Sequence, residues 1–261
     1  MFFKSLSHFK QTGFTLIELM ISSALGLIIA TFCLTSLHDF MFAEQFVDAQ
    51  YRSVQRNSQV IESVSLMTEI GGFLPSESLS FTSSWNYGTG ESNFDTGEII
   101  KIDNEDKSNL ISLRLMGDSY NDFRDCHGLS FGADTLVYIN FSLNEQGAFS
   151  CRSRHYVSGN LVSDTDKVLV EYIKDIHVTA VLRDDTAKWK TLTDSNLSEN
   201  HTYIKAVLLE VLSDSAQPAH AEAIKQSFHF FDGDVVYTSK NALVYQSKLL
   251  ALTNQEHQSE Y

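Results

Sequence analysis

Proline is nearly missing from this sequence: it occurs twice in 261 residues, at Pro75 and Pro218. Because proline removes a helix hydrogen bond and clashes with the preceding turn, its absence before Pro75 leaves room for a very long helix. Basic charge is also scarce, with 19 Lys and Arg against 33 Asp and Glu and a formal net charge of −14. So acidic a chain repels nucleic-acid phosphate, and no basic patch interleaved with aromatics is present, so direct nucleic-acid binding is not expected. Catalytic signatures are missing too. There is no Gly-x-Ser-x-Gly, His-Glu-x-x-His, Gly-x-Gly-x-x-Gly or phosphate-binding loop. The nine histidines are scattered, so only a triad assembled by folding is left open, and the expectation is a protein that is not an enzyme. The acidic stretches Asp103–Asp106, Asp118–Asp125 and Asp232–Asp234 lack EF-hand spacing. They read as solvated turns before calcium loops, and no cofactor or metal is expected.

What is present is concentrated at the amino terminus. The 24 residues from Phe14 to Leu37 contain one charge, Glu18. At ~1.5 Å per residue they span ~36 Å, enough to cross a bilayer core with some tilt. A lone carboxylate in such a run costs ~2.5–3.5 kcal/mol on insertion scales, so it calls for a partner. Residues 1–13 carry Lys4 and Lys10 and no acid, the bias of a segment held on the cytoplasmic side. The small residue suited to cleavage, Gly13, precedes the apolar run instead of following it. A cut between Gly13 and Phe14 leaves the helix on the mature chain and creates an α-ammonium one turn before Glu18. The carboxylate then lies in the first turns, where the helix dipole favours an anion. Ser22, Gly26 and Ala30 form a small-residue stripe at four-residue spacing, which lets helices approach closely in lipid.

Gly13-Phe14-Thr15-Leu16-Ile17-Glu18 after a short basic leader resembles the signal of type IV prepilins. The resemblance implies cleavage after Gly13 by a prepilin peptidase, N-methylation of Phe14, and an assembly contact from Glu18 to the Phe14 ammonium of a neighbouring subunit. Removing Lys4 and Lys10 leaves 17 basic side chains against 33 acidic ones, formally −16.

No Gly or Pro interrupts Thr31 to Ile70. Apolar side chains recur at Phe40, Val47, Tyr51, Val54, Ile61, Val64 and Met67 on one face, with charged and amide residues opposite. Gly71-Gly72 and Pro75 then supply a stop. The expectation is one continuous helix of about 57 residues, roughly 85 Å long. Beyond it, short alternating runs read as strands: Ile99–Asp103, Leu110–Leu115, Leu136–Phe141, Ile176–Leu182, Tyr203–Val211 and Ser227–Phe230. Turn signals separate them at Asn86–Gly90, Asn93–Gly97, Asn144–Gly147, Ser158–Asn160 and Asp232–Asp234. The expected fold is α+β, a pilin-like lollipop: a long amino-terminal helix, its first half transmembrane, packed on a mostly antiparallel β-sheet head. Its parts are a leader at 1–13, a membrane or filament-core helix at 14–37, an amphipathic continuation at 38–72, a periplasmic head at 73–252 and a polar tail at 253–261.

Three cysteines remain. Cys33 lies in the apolar helix and reads as an inert buried thiol. Cys126 and Cys151 lie 25 positions apart in the head, and a bridge between them would contribute up to ~3 kcal/mol in the chain-entropy model. A metal site using His127 and His155 is the alternative.

Arg124–Gly128 and Phe149–Arg152 are similar to the paired-cysteine segments of PilW-type minor pilins. Val168–Val181 resembles that family's segment leading into a central strand and Tyr203–Leu212 the strand that follows it, whereas Val235–Leu252 departs from its arginine-rich ending. The resemblance implies a minor pilin acting in pilus assembly initiation or a tip complex and supporting adhesion, twitching or DNA uptake. Its implied partners are the prepilin peptidase, other minor pilins, the major pilin, the inner-membrane assembly platform and, before assembly, membrane lipid. It implies an inner-membrane protein with a periplasmic head that later reaches the pilus. The J-type minor pseudopilin of a type II secretion system shares the signal and plan. A membrane-anchored periplasmic enzyme or binding protein is the reading from another class.

Overall fold

The absence of helix breakers shows directly in the backbone. In the computed structural model, which describes residues 15–71, 94, 99–104, 107, 110–118, 122–183, 189–192, 204–218 and 222–252, one helix α1 runs from Leu16 to Ile70. Its 55 residues extend for about 82 Å. The chain divides into two compact units between Val47 and Asp48. In the first, the side chains of α1 are exposed, including Leu16, Ile21, Leu27, Phe32 and Phe40. A stretch of α1 is long and apolar enough to cross a membrane.

The second unit begins inside the helix. From Asp48 onward α1 buries Ala49, Ser53, Asn57, Val60, Ile61, Val64, Met67 and Thr68. This face differs from the expected stripe. Ile61, Val64 and Met67 are buried as expected, but Tyr51 and Val54 point to the surface. The reason is polar packing between the helix and two strands of the head. Asn57 Nδ2 donates to the Val244 carbonyl at 2.8 Å, and Ser213 Oγ donates to the Ser53 carbonyl at 2.9 Å. Small and amide side chains fit there, so counting apolar residues selects the wrong side of the helix over these two turns.

The strands form antiparallel sheets throughout. The first is a five-stranded meander, β1 (Ile100–Ile102), β2 (Ile111–Met116), β3 (Thr135–Leu143), β4 (Phe149–Val157) and β5 (Asn160–Val170), in sequence order. The second has β6 (Ile173–Arg183), β7 (Trp189–Leu192), β8 (Ile204–Pro218) and β11 (Asn241–Ala251) in the order β11-β8-β6-β7. Between β8 and β11 the chain forms a separate hairpin, β9 (Ile224–Phe230) with β10 (Gly233–Ser239). Tight turns fall where the sequence signals them: Gly147, Ser158 and Gly159 take left-handed φ of 81°, 49° and 81°. The signals at Asn86–Gly90 and Asn93–Gly97 lie outside the described residues, apart from Phe94.

One core joins these layers. Val60, Ile61, Val64 and Met67 of α1 pack with Ile111, Leu113, Val137, Ile139, Phe141 and Phe149 of the meander, and with Ile176, Val178, Val207 and Leu209 of the second sheet. Phe141 and Phe149 stack with centroids 5.5 Å apart. A smaller cluster of Leu212, Phe230 and Leu243 seats the hairpin. The α+β architecture, a long amino-terminal helix followed by antiparallel sheets, is as the sequence implies.

Candidate functional site: the start of the helix and the disulfide corner

The first chemical site is the start of α1. Gly13 and Phe14 lie outside the described residues. Glu18 is described, and its carboxylate is already engaged. Glu18 Oε2 accepts from the Thr15 backbone N–H at 2.9 Å and from Thr15 Oγ1 at 3.0 Å. The Glu18 N–H lies 3.3 Å from Thr15 Oγ1, to which it donates. Thr15 and Glu18 thus form a reciprocal capping box, which satisfies donors that the helix start would leave orphaned. The signal was legible as Thr-x-x-Glu ahead of an apolar run, a pattern the charge argument alone passes over. The expected partner of Glu18, an ammonium at Phe14, would be the neighbour of the N–H that Glu18 now holds.

The rest of the segment keeps its polar groups to itself. Ser22 Oγ donates to the Glu18 carbonyl at 2.7 Å, and Thr31 and Thr35 hydroxyls donate to carbonyls three and four residues back. Such back-bonding satisfies these hydroxyls in an apolar medium. Ser22, Gly26 and Ala30 share one exposed stripe, and a Cβ built on Gly26 meets nothing within 4 Å. Cys33, expected to be buried, is exposed on α1. No described residue of its own unit covers the thiol.

The second site is the disulfide corner of the head. Cys126 and Cys151 are bridged, with Cα atoms 6.5 Å apart. Cys151 sits inside β4, and Cys126 sits in the tight loop that closes between Arg124 and Ser130. Asp125 organises that loop: its Oδ1 accepts from the N–H groups of His127 and Leu129, each at 2.9 Å. Gly128 supplies the left-handed φ of 77° that the turn requires. The metal alternative loses its ligands here. His127, Cys126 and Cys151 bring ligand atoms within 4.8 Å of one another, but two of these are sulfurs bonded to each other, which offer no thiolate. His127 Nε2 instead lies 3.2 Å from the Thr165 carbonyl of β5.

The fold also brings together a serine, a histidine and an aspartate that no sequence spacing announced. His155 Nε2 lies 3.0 Å from both Asp125 Oδ2 and Ser153 Oγ, and all three residues are buried. A nucleophilic triad needs serine and carboxylate on opposite ring nitrogens. Here Ser153 and Asp125 meet the same ring nitrogen, Nε2, so the geometry is not the relay of serine, ring and carboxylate that a triad uses. Phe131 packs edge-on against the same ring at 5.5 Å. Burial alone would raise the Asp125 pKa, but hydrogen bonds from His155, Ser153 and the two backbone N–H groups hold it down at about 2. The cluster is an anionic anchor for the bridged loop.

The acidic turn Asp232–Asp234 has partners as well. His177 Nδ1 meets Asp232 at 2.7 Å, and His229 pairs with Asp234. These pairs hold the β9–β10 turn against β6 and against itself.

Residues 8–34 match the family model of the prokaryotic N-terminal methylation motif. No curated protein matches the chain. The motif covers the candidate cleavage site, Glu18 and the small-residue stripe, and it supports a type IV prepilin-like protein, a class that includes pilins and pseudopilins. Such a motif implies processing by a prepilin peptidase and interaction with pilus components, and the apolar helix is compatible with membrane anchoring.

Proposed function

We propose that this protein is a minor pilin of the PilW type, structural rather than catalytic, acting in initiation of type IV pilus assembly or in a tip complex. The observation that carries the proposal is the state of α1. It begins at a Glu18 capping box inside a methylation motif, leaves its apolar side chains exposed up to Val47, and then enters the core of a disulfide-bonded head. A helix with that surface needs lipid first and other helices afterwards. In this reading the chain inserts into the inner membrane with its head in the periplasm. Cleavage after Gly13 and methylation of Phe14 follow. The chain then joins other minor pilins and the major pilin through the assembly platform. On assembly Glu18 exchanges its Thr15 contacts for the Phe14 ammonium of a neighbour, while Ser22, Gly26 and Ala30 let the helices close together. The bridged corner suits an oxidising compartment.

The J-type pseudopilin of a secretion system is the second reading, because the methylation motif is common to both. Amino-terminal mass spectrometry of the membrane-extracted chain tests the shared part. Methylated Phe14 is expected, and Met1 retained in cells with an active prepilin peptidase overturns it. Deletion of the gene separates the two readings: loss of surface pili supports the pilin, and loss of protein secretion with pili intact supports the pseudopilin.

A further inference from the structure

Three turns far apart in sequence border a half-open cavity of about 390 Å³ in the head, within the size range of small-ligand pockets. The β3–β4 turn supplies Asn144, Glu145, Gln146 and Gly147, the β5–β6 joint supplies Tyr172, Ile173 and Lys174, and the end of β8 supplies Asp214 and Ala216. Backbone hydrogen bonds stitch these turns together. Ile173 N–H donates to the Gly147 carbonyl at 2.9 Å, and Asp214 N–H donates to the Tyr172 carbonyl at 2.8 Å. Gly147 is required for the first stitch, since a Cβ there would lie 2.6 Å from the Ile173 carbonyl oxygen. Asn144 Oδ1 closes its own turn on the Ala148 N–H, and Asp214 Oδ1 holds the Ala216 N–H and Asn241 Nδ2. The walls are therefore set before any ligand arrives, which removes an ordering cost from binding.

Two of the four non-glycine residues with left-handed φ among the described residues line this one cavity, Tyr172 at 65° and Ala216 at 62°. That conformation costs of order 1–3 kcal/mol for a residue bearing a Cβ, and such strain collects at ligand sites. Glycine would relieve it at position 172, yet a tyrosine stands there, 47% exposed. Its ring is held in place by the Arg56 guanidinium, 4.8 Å from the centroid, and Arg56 in turn donates to the Asp214 carbonyl at 2.6 Å. A strained tyrosine braced on the rim of a cavity is a side chain kept for contact.

The lining fixes the ligand class. Lys107 is ion-paired with Asp175, which leaves Glu145 and Asp214 beside the single cation Lys174, so the site has no surplus of positive charge to draw an anion. Asn144, Gln146 and Asn241 add carboxamides, each able to donate and accept. An aromatic platform ringed by carboxylate and carboxamide groups matches the C–H faces and hydroxyl edges of a sugar ring. We infer that this cavity is a binding site for a neutral saccharide, with Tyr172 as stacking platform and Asp214 and Asn144 as hydroxyl partners. The site lies wholly in the head and does not depend on the filament reading.

Saturation-transfer NMR on the full chain in lipid nanodiscs tests it, with glucose, galactose, mannose, N-acetylglucosamine and their β1,4-linked disaccharides as probes. Transfer to the ring C–H protons of at least one probe is expected at millimolar concentration. Tyr172→Asn, which keeps a residue tolerant of the left-handed backbone, is expected to abolish transfer. Asp214→Asn, which keeps the Oδ1 acceptor, is expected to weaken binding roughly tenfold. An unchanged melting temperature in Asp214→Asn separates lost binding from lost folding. No transfer to any probe, or equal transfer in Tyr172→Asn and the native chain, overturns the inference.

Discussion

The two parts of α1 are continuous in backbone and opposite in what satisfies them. From Leu16 to Val47 the apolar side chains face outward, and Glu18, Ser22, Thr31 and Thr35 close their polar groups on their own helix. From Asp48 to Ile70 the helix buries a mixed face and reaches across to strands through Asn57, Ser53 and Arg56. The first part is finished only by an environment outside its own domain, and the second is part of a folded core. Substitutions should therefore separate assembly from stability according to where they fall along one helix.

The largest effect is expected from Glu18→Ala. Incorporation into filaments, followed by immunoblot of sheared pili, should be lost while the melting temperature of the head stays unchanged. Normal incorporation would end the proposed role of Glu18. Next, Ile61→Ala in the second part should destabilise the head by about 2–5 kcal/mol through lost burial and a residual cavity. Ile28→Ala in the first part should leave head stability unaltered, as read by urea unfolding. Equal losses for the two would erase the distinction between the halves. Replacing Cys126 and Cys151 together by serine should cost about 3 kcal/mol on the chain-entropy model and leave membrane insertion intact.

A smaller effect comes from pH. The Asp125 pKa, about 2 in the folded head, lies below its value in an unfolded chain. Its anchor contributes stability that is present above pH ~4 and is lost as pH falls toward 2, of order 2 kcal/mol in all. Asp125→Asn should flatten the acid limb of the head's stability curve, and an unaltered limb would show that the anchor is not ionic. The histidine at the hairpin acts in the opposite sense. Hydrogen bonding to Asp175 raises the His177 pKa against the opposing effect of burial, and Asp232 adds to the rise. Its contribution is fully present below pH ~6.5 and is lost as pH rises through the folded pKa. Amide protection in β9–β10, after correction for the intrinsic rise of exchange with pH, should fall over that interval, and His177→Phe should remove that fall while keeping the stack on Phe230.

Much of this was open to reading one residue at a time. Strands β1, β2, β3, β6, β8 and β9 stand where alternating runs marked them, because each presents one apolar face to a core. Strands β4, β5, β7, β10 and β11 were not marked. β5 is an edge strand whose side chains are largely exposed, with Asp164, Asp166 and Lys167 among them, so the alternation that signals burial is weak. β4 carries Arg152, Arg154 and His155 within the meander, and these side chains meet Asp164 and Asp125 in three dimensions, not in sequence. The capping box at Thr15 was legible and passed over, since attention to the cost of a charge in lipid hides its local hydrogen bonds.

Local pattern along the chain is enough to specify the long helix, its apolar first part with a single carboxylate, and the acidic strand-rich head. These follow from composition and spacing, which act locally along the chain. The face of α1 that enters the head is set by chain crossings, because the deciding contacts are the Ser213 hydroxyl of β8 and the Val244 carbonyl of β11, both distant in sequence. The tertiary structure also decided that Cys126 and Cys151 meet, that Asp125, Ser153 and His155 share one buried site, and that three separate turns border a cavity at Tyr172. Such sites depend on chain crossings, and nothing in the local pattern of any one segment encodes them.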